Sequence, residues 1–331
     1  MKISQINCQD EKINNQIAII GGFGFIGSNL AQELLRLGTF QIRLLTRNPQ
    51  DHNLSLYQES FVKIFRGDLM EPSSLIAFLE PNCTVINLMY SWDGGESKNL
   101  QMNTNLLNAC KNAKIKRLIH CSTAAVVGRT TDLLVTESTP CKPVTEYGAT
   151  KIKIEETIVF KGKSFFDVAI IRPTSVFGPA GSPLKKLVAD LINGNPYKNY
   201  IKSCLFAERR MNLVSINNVV ESIVFLINQK QNFNGSVFIV SDDECVLNNF
   251  SHVENFFMQK FNLPKYALPK IKIPLSILSL LLRCLGRNNI NPHCNYSSNK
   301  LRGLGFVPPK SFETALSEYA SWYIQTQVQK Y

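Results

Sequence analysis

The 331-residue chain contains no apolar run of the ~18 residues that a bilayer-spanning helix requires. Its opening stretch, MKISQINCQDEKINNQ, lacks the apolar centre of a secretory leader, so a cytoplasmic protein is expected. Patterned cysteine is missing too. The nine cysteines, at 8, 83, 110, 121, 141, 204, 245, 284 and 294, include no CxxC pair. That argues for reduced thiols over a disulfide framework and against a zinc site. His52, His120, His252 and His293 share no ligand spacing, so no metal is expected. Acidic residues are scarce: 25 Asp and Glu face 36 Lys and Arg, a net charge of +11. The excess forms no basic tail and no nucleic-acid motif, so it points to small anionic ligands and not to nucleic acid. With 44 % hydrophobic and 18 % charged residues, what remains is a chain able to bury a large core.

Apolar runs and helical stretches alternate along it. Gln16–Ile20 (QIAII) reads as a strand buried on both faces. After a glycine-rich turn, Ser28–Leu37 reads as a helix with Leu30, Leu34, Leu35 and Leu37 inward and Gly38 as its stop. Further strands are predicted at Ile42–Thr46, Val62–Arg66, Val85–Met89, Arg117–Ser122, Val168–Arg172 and Ser236–Val240, with the clearest helix at Asn99–Asn112. This alternation predicts an α/β fold, a doubly wound parallel (Rossmann) sheet with a smaller, interleaved C-terminal lobe. The dinucleotide-binding core is expected over residues 15–178. Residues 179–331, rich in proline, are mainly a substrate-binding lobe with returns to the sheet near 211–242.

GGFGFIG sets Gly21, Gly24 and Gly27 at GxxGxxG spacing, directly after a strand and opening a helix. Gly21 permits the tight turn, Gly24 lets backbone approach a pyrophosphate, and Gly27 lets helix and strand pack closely. A glycine turn can also serve geometry alone; the strand–turn–helix context favours a cofactor. At the end of the second strand an NAD site wants a carboxylate for the ribose hydroxyls, whereas an arginine suits a 2′-phosphate. Here Thr46 takes the acid's place and Arg47 follows it, which favours NADP over NAD; a solvated surface arginine is the plainer reading of Arg47. Asp68, in RGDL, is placed to accept from the adenine amino group, or to cap a helix.

Three YxxxK matches occur, at Tyr147/Lys151, Tyr266/Lys270 and Tyr296/Lys300, so the motif alone decides nothing. The second contains Pro269 and the third lies in a polar stretch with no strand before it. Tyr147 and Lys151 open a predicted helix and share one of its faces at i,i+4 spacing. A phenol with pKa ~10 is a poor base at neutral pH, and a neighbouring ammonium is expected to lower it. Tyr147 then exchanges a proton with a substrate oxygen, Lys151 tunes it and holds the cofactor ribose, and Thr123 bonds the same oxygen while a nicotinamide carries the hydride.

GGFGFIG, RGDL, NLLNAC, CSTAAVVG, YGATK with Glu155 after it, IIRPTSVFGP and LGFVPPKSFETAL…WY together resemble the extended short-chain dehydrogenase/reductase family. The resemblance is strongest to its NAD-dependent nucleotide-sugar epimerases, dehydratases and reductases, and runs from Ile17 to about Tyr323. It implies a catalytic set of Thr123, Tyr147 and Lys151, with Asn99 supporting the lysine. It extends the cofactor positions to Phe25, Ile26, Leu69 and Pro173, and the substrate positions to Ser122, Ser175 and Arg210. A homodimer paired through the Tyr-bearing helix is a further implication. The departures are as informative. Ala124 and Ala125 stand where dehydratases carry an Asp-Glu pair, so 4,6-dehydration is not expected. Ser175 replaces an Asn, Val127 a Tyr, and MNLVSINN (211–218) has lost three carboxylates.

The expected function is therefore NAD(P)-dependent epimerisation or ketone reduction on a nucleotide sugar. Two alternatives stay open: a dehydrogenase or reductase of a lipidic, steroid-like alcohol, and a non-catalytic dinucleotide-binding sensor or scaffold. The apolar segment Ile273–Leu285, flanked by Lys270, Lys272, Arg283 and Arg287, reads as a helix of the small lobe. Its rival readings are peripheral membrane contact through 271–287, or the lining of an apolar substrate pocket.

Overall fold

A computed structural model describes residues 15–51, 61–271, 273–284 and 291–328. His52, Lys272, Leu285 and Arg287 lie outside the described residues. Five strands come first: β1 (Gln16–Ile20), β2 (Gln41–Thr46), β3 (Val62–Arg66), β4 (Thr84–Asn87) and β5 (Arg117–Cys121). β6 (Leu134–Val135) lies apart, and β7 (Asp167–Pro173) returns to the sheet. β8 (Ser175–Phe177) pairs with β9 (Leu213–Ser215), β10 (Ser236–Val240) completes the sheet, and β11 (Asn295–Tyr296) pairs with β6. The seven main strands run parallel in the order β3-β2-β1-β4-β5-β7-β10. This is the doubly wound sheet the sequence predicts, and its direction of winding reverses between β1 and β4.

Among the described residues ten helices accompany it: α1 (Phe25–Leu37), α2 (Gly95–Ala113), α3 (Glu146–Gly162), α4 (Lys185–Asn193), α5 (Pro196–Phe206), α6 (Ile216–Asn228), α7 (Phe250–Lys260), α8 (Leu275–Cys284), α9 (Asn299–Arg302) and α10 (Phe312–Val328). The unbroken apolar strands reflect burial on both faces. Ile17 and Ile19 of β1 pack under Leu30 and Leu34 of α1 and Val219 and Ile223 of α6. Ala18 and Ile20 point the other way, toward Met102 and Leu106 of α2 and Ile154 and Ile158 of α3. A separate cluster in the later chain joins Phe177, Val188, Val253, Phe257, Leu316 and Tyr319.

Boundaries shift where side chains intervene. α1 begins at Phe25, three residues before the predicted Ser28, and ends as expected at Gly38 with φ 67°. Leu35 and Leu37 are half-buried against the same core as Leu30 and Leu34. β4 stops at Asn87, two residues before the predicted Met89, because the Asn87 side-chain oxygen accepts the Met89 N–H at 3.1 Å and turns the chain out. At the amino-terminal end of β5, Arg117 is fully buried: Nε donates to Asp167 at 2.6 Å, and the other nitrogens to the carbonyls of Leu226, Gln229 and Gln231. The apolar segment forms α8 with Leu278 buried and Ile277 and Leu280 exposed. No helix among the described residues is long and apolar enough to cross a membrane.

Candidate active site

The carboxyl ends of β1, β2 and β3 open onto a cavity of about 260 Å³, at the point where the winding of the sheet reverses. It gathers Gly21 and Gly24 from the first turn, Thr46 and Arg47 from the end of β2, and Asp68 and Leu69 from beyond β3; Met89 closes one side. Six of the sequence-predicted cofactor residues thus meet in one place. Gly21 takes φ 79°, a left-handed conformation that suits glycine, and its carbonyl accepts the Gly24 N–H at 3.1 Å. A Cβ on Gly27 would lie 2.1 Å from the Gly21 oxygen, so that glycine sets the contact of α1 with the turn. Gly27 does not line the cavity. Phe25 and Ile26 are not among its lining residues either: Ile26 packs on the core, and the Phe25 ring faces the Gly178–Gly181 segment.

Thr46 is buried, its hydroxyl 3.4 Å from the Asn48 carbonyl, while Arg47 is exposed. One Asp68 oxygen accepts the Met70 N–H at 2.8 Å, which forms an Asx-type turn where the sequence allowed a helix cap. α1 starts with no side-chain cap and no carboxylate in its first turn. Its N-terminal turn follows the cavity-lining Gly24 and meets no capping side chain or internal carboxylate.

The second group of residues adjoins this cavity through consecutive positions: Met89 lines it, and Tyr90 packs edge-on against Tyr147 with centroids 4.8 Å apart. Tyr147 sits in the first turn of α3, which Thr145 caps by accepting the Gly148 N–H at 3.1 Å. Trp92 stacks on the phenol ring, centroids 5.0 Å apart and 23° from parallel, and also meets Tyr90 at 4.9 Å. Thr123 caps the short helical turn Ala124–Val126, accepting the Ala125 N–H at 3.2 Å, and its hydroxyl hydrogen-bonds the Tyr147 phenol. Lys151 is buried, and its ammonium donates to the Cys121 carbonyl at 2.9 Å.

Two expectations need correction here. The phenol is not lowered by Lys151: burial pushes Tyr147 up to about 12, and the Thr123 hydrogen bond only partly opposes it. Lys151 is itself held below its usual range by burial, with its charge turned to the Cys121 carbonyl. Asn99 is buried on α2, yet its amide serves the 91–95 loop and not the lysine. It accepts the Ser91 N–H at 2.9 Å and donates to the Ser91 and Gly95 carbonyls, both at 2.8 Å. The other predicted positions are dispersed. Ser122 is buried beside Thr123, Pro173 ends β7, and Ser175 is exposed at the start of β8. Arg210 bonds the Val246 carbonyl at 3.3 Å and lines none of the cavities described. Tyr266 and Lys270 both bond Glu254, far from any strand end, which removes that YxxxK match from the site.

Sequence reading missed Tyr90 and Trp92. An aromatic pair (YSW) just past the carboxyl end of a central strand is the signal that marks them. A second cavity, about 370 Å³, lies among Leu191, Tyr197, Tyr200, Met258, Tyr266 and Leu268. Residues before α8 contribute to it, and no described side chain of α8 is among its lining.

The family model for the NAD dependent epimerase/dehydratase family matches residues 17–240. The human sterol-4-alpha-carboxylate 3-dehydrogenase, decarboxylating, is 27 % identical over 263 residues, which is 72 % of this chain and 66 % of that protein. This chain therefore spans a little under two thirds of that relative's length. The UDP-glucose 4-epimerase of Vibrio cholerae is 25 % identical over 96 % of this chain and 98 % of its own. The Bordetella bronchiseptica enzyme WbmG, solved with NAD, superposes with a TM-score of 0.72 at 19 % identity, covering 95 % of each chain, and so shares the fold.

Proposed function

Because this chain belongs to the NAD dependent epimerase/dehydratase family, with the extended short-chain dehydrogenase/reductase architecture, we propose that it is an NADP(H)-using oxidoreductase or epimerase. It would act on a ring carbinol or ketone of a nucleotide sugar. The observation that carries the reading is the adjacency of the glycine-turn cavity to Tyr147, through Met89 and Tyr90. A dinucleotide fits the residues present. The uncapped start of α1 at Gly24 suits the pyrophosphate, and Asp68 keeps one carboxylate oxygen beyond its turn for a ribose or adenine donor. Thr46 offers no carboxylate to a pair of ribose hydroxyls, and the Arg47 guanidinium beside it suits a 2′-phosphate, which is why NADP is proposed over NAD.

When bound, a nicotinamide dinucleotide supplies or accepts the hydride. The chain's own residues handle the proton. Tyr147, kept protonated by burial, donates from its phenol oxygen to the substrate oxygen as a ketone is reduced, and takes the proton back in the reverse direction. Thr123, already oriented by the Ala125 N–H, holds the phenol and is placed to share the same substrate oxygen. Lys151 supplies positive charge behind the site from its seat on the Cys121 carbonyl. Ala124 and Ala125 provide no carboxylic acid for elimination, so a 4,6-dehydration is not proposed. A second reading, a carbinol on a lipidic ring, is favoured by the sterol-dehydrogenase relative.

The test is turnover of the 4-keto forms of UDP-, GDP- and dTDP-sugars with NADPH, and of the sugars themselves and a 3-hydroxysterol with NADP+, followed at 340 nm and by product NMR. Tyr147→Phe should abolish turnover and leave NADPH binding within about twofold. Turnover that survives the substitution would remove Tyr147 from its role.

A further inference from the structure

The second cavity, about 370 Å³ between α4, α5 and α7, continues into another of about 360 Å³. Met258, Leu263, Lys265, Tyr266 and Leu268 line both, so the two form one groove with unlike ends. At one end stand Leu191, Pro196 and Tyr197, and the polar groups beside them are already engaged. The Tyr200 hydroxyl donates to the Pro269 carbonyl at 2.8 Å, and the Asn199 amide to the Asp190 carbonyl at 2.5 Å. That end offers hydrocarbon and aromatic surface. Tyr197 and Leu268 are nonetheless 80 % and 61 % exposed, which leaves large apolar surfaces in water at the rim.

The other end is built from Asn255, Gln259 and Lys270. Lys270 gives one hydrogen to Glu254 and one to Asn255, each at 2.8 Å, so its ammonium keeps a third donor. Glu254 is buried, and its oxygens accept from Ser203, Tyr266 and Lys270, so that carboxylate is balanced. Lys265, at the junction of the two ends, is exposed and adds a positive charge. No acidic residue occurs in the chain between Glu254 and Glu313 to oppose it.

We propose that this groove binds an alkyl amphiphile with an anionic head, a fatty carboxylate or an alkyl phosphate, taken free or from a bilayer. The tail lies along Leu191, Tyr197 and Leu268 and covers their exposed surface, while the head meets the ammonium groups of Lys265 and Lys270. Neither Tyr147 nor any glycine of the first turn lines the groove, so the site is separate from the one assigned to catalysis. It stands whether or not the oxidoreductase reading does.

Isothermal titration of the full chain with dodecanoate, kept below its micelle concentration, should show saturable binding. Dodecanol, with the same tail and no charge, should bind about tenfold more weakly. Lys265→Gln should weaken dodecanoate about tenfold and leave dodecanol unchanged, whereas Leu268→Ser should weaken both about tenfold. Both side chains are exposed, so Tm should stay within about 1 °C and show the fold intact. Flotation with phosphatidylglycerol vesicles distinguishes the sources. Capture that both variants abolish identifies a membrane lipid, and dodecanoate binding without capture identifies a free amphiphile. The proposal is overturned by the absence of saturable binding, by equal affinity for dodecanoate and dodecanol, or by an affinity for dodecanoate that either variant leaves unchanged. Displacement of dodecanoate by NADPH or a nucleotide sugar would also overturn it, because the ligand would then occupy the catalytic site.

Discussion

Glu155 and Arg172 tie the helix that carries Tyr147 and Lys151 to the sheet, and cutting that tie gives a measurable prediction. Glu155 lies one turn beyond Lys151 on α3, and Arg172 is the penultimate residue of β7. Nε of Arg172 donates to both carboxylate oxygens at 3.0 and 3.2 Å, and a terminal nitrogen to one of them at 2.6 Å. The two side chains are 4 % and 6 % exposed, so water does little to screen them. Burial alone would lower the arginine, yet bonding to Glu155 leaves it raised. Two unit charges ~4 Å apart in a medium of effective dielectric ~20 attract by about 4 kcal/mol. Glu155→Met strands the guanidinium without that attraction and should cost about 3–5 kcal/mol. With an unfolding entropy near 2.1 cal/mol/K per residue over roughly 300 residues, each kcal/mol lowers Tm by about 1.5 °C, so a fall of about 6 °C is expected. Arg172→Met should cost a similar amount. The double variant, which removes both charges, should recover most of the loss. Urea denaturation of the four proteins completes the cycle. A single-variant cost below about 1 kcal/mol, or a double variant that simply adds the two losses, would refute the reasoning.

Three further outcomes are expected. Gly27→Ala places a methyl group 2.1 Å from the Gly21 oxygen and 2.6 Å from the Gly22 Cα, so α1 must move off its turn. NADPH affinity read by fluorescence should fall on the order of 10²-fold, as misplacement near 1 Å costs elsewhere, and binding within threefold of wild type would show that the turn gives way freely. Arg47→Ala should weaken NADPH about tenfold and leave NADH unchanged; an equal loss for both would remove the 2′-phosphate contact. Asp242 and Asp243 are each pushed up to about 6 by burial, so the folded state holds their protons more tightly than the unfolded chain does. Their contribution to stability is present at pH ~4 and is lost as pH rises through about 6. Urea titrations across this window should show a falling component that Asp243→Asn reduces. A slope identical in the variant would exclude that residue.

The legible part of this protein is the part encoded locally. QIAII, VKIFR and SVFIV lie in strands whose ends match the reading, and in QIAII burial on both faces leaves an unbroken apolar run. The meeting of Gly21, Gly24, Thr46, Arg47, Asp68 and Leu69 was also readable, since all six sit at or just past strand ends that a parallel sheet must align. What escaped depends on contacts distant in sequence or on side-chain direction. Asn99 and Lys151 have the expected spacing, yet their polar atoms turn to Ser91 and to the Cys121 carbonyl, respectively. The Tyr147 phenol rises because Tyr90 and Trp92, more than 50 positions earlier, help bury it, and no i,i+4 rule contains that information. Arg117 likewise finds its acid 50 residues on and its carbonyls more than 100 residues on.

That last arrangement bears on how the chain can be divided. Three of the carbonyls that satisfy Arg117 come from residues 226 to 231, at and beyond the end of α6. α6 also covers the sheet face that β1 and α1 share. A fragment cut at residue 178 would keep the glycine turn, Tyr147 and Lys151, but it would bare a strip of core and strand a buried guanidinium with Asp167 alone. The nucleotide-binding half is consequently not an excisable module.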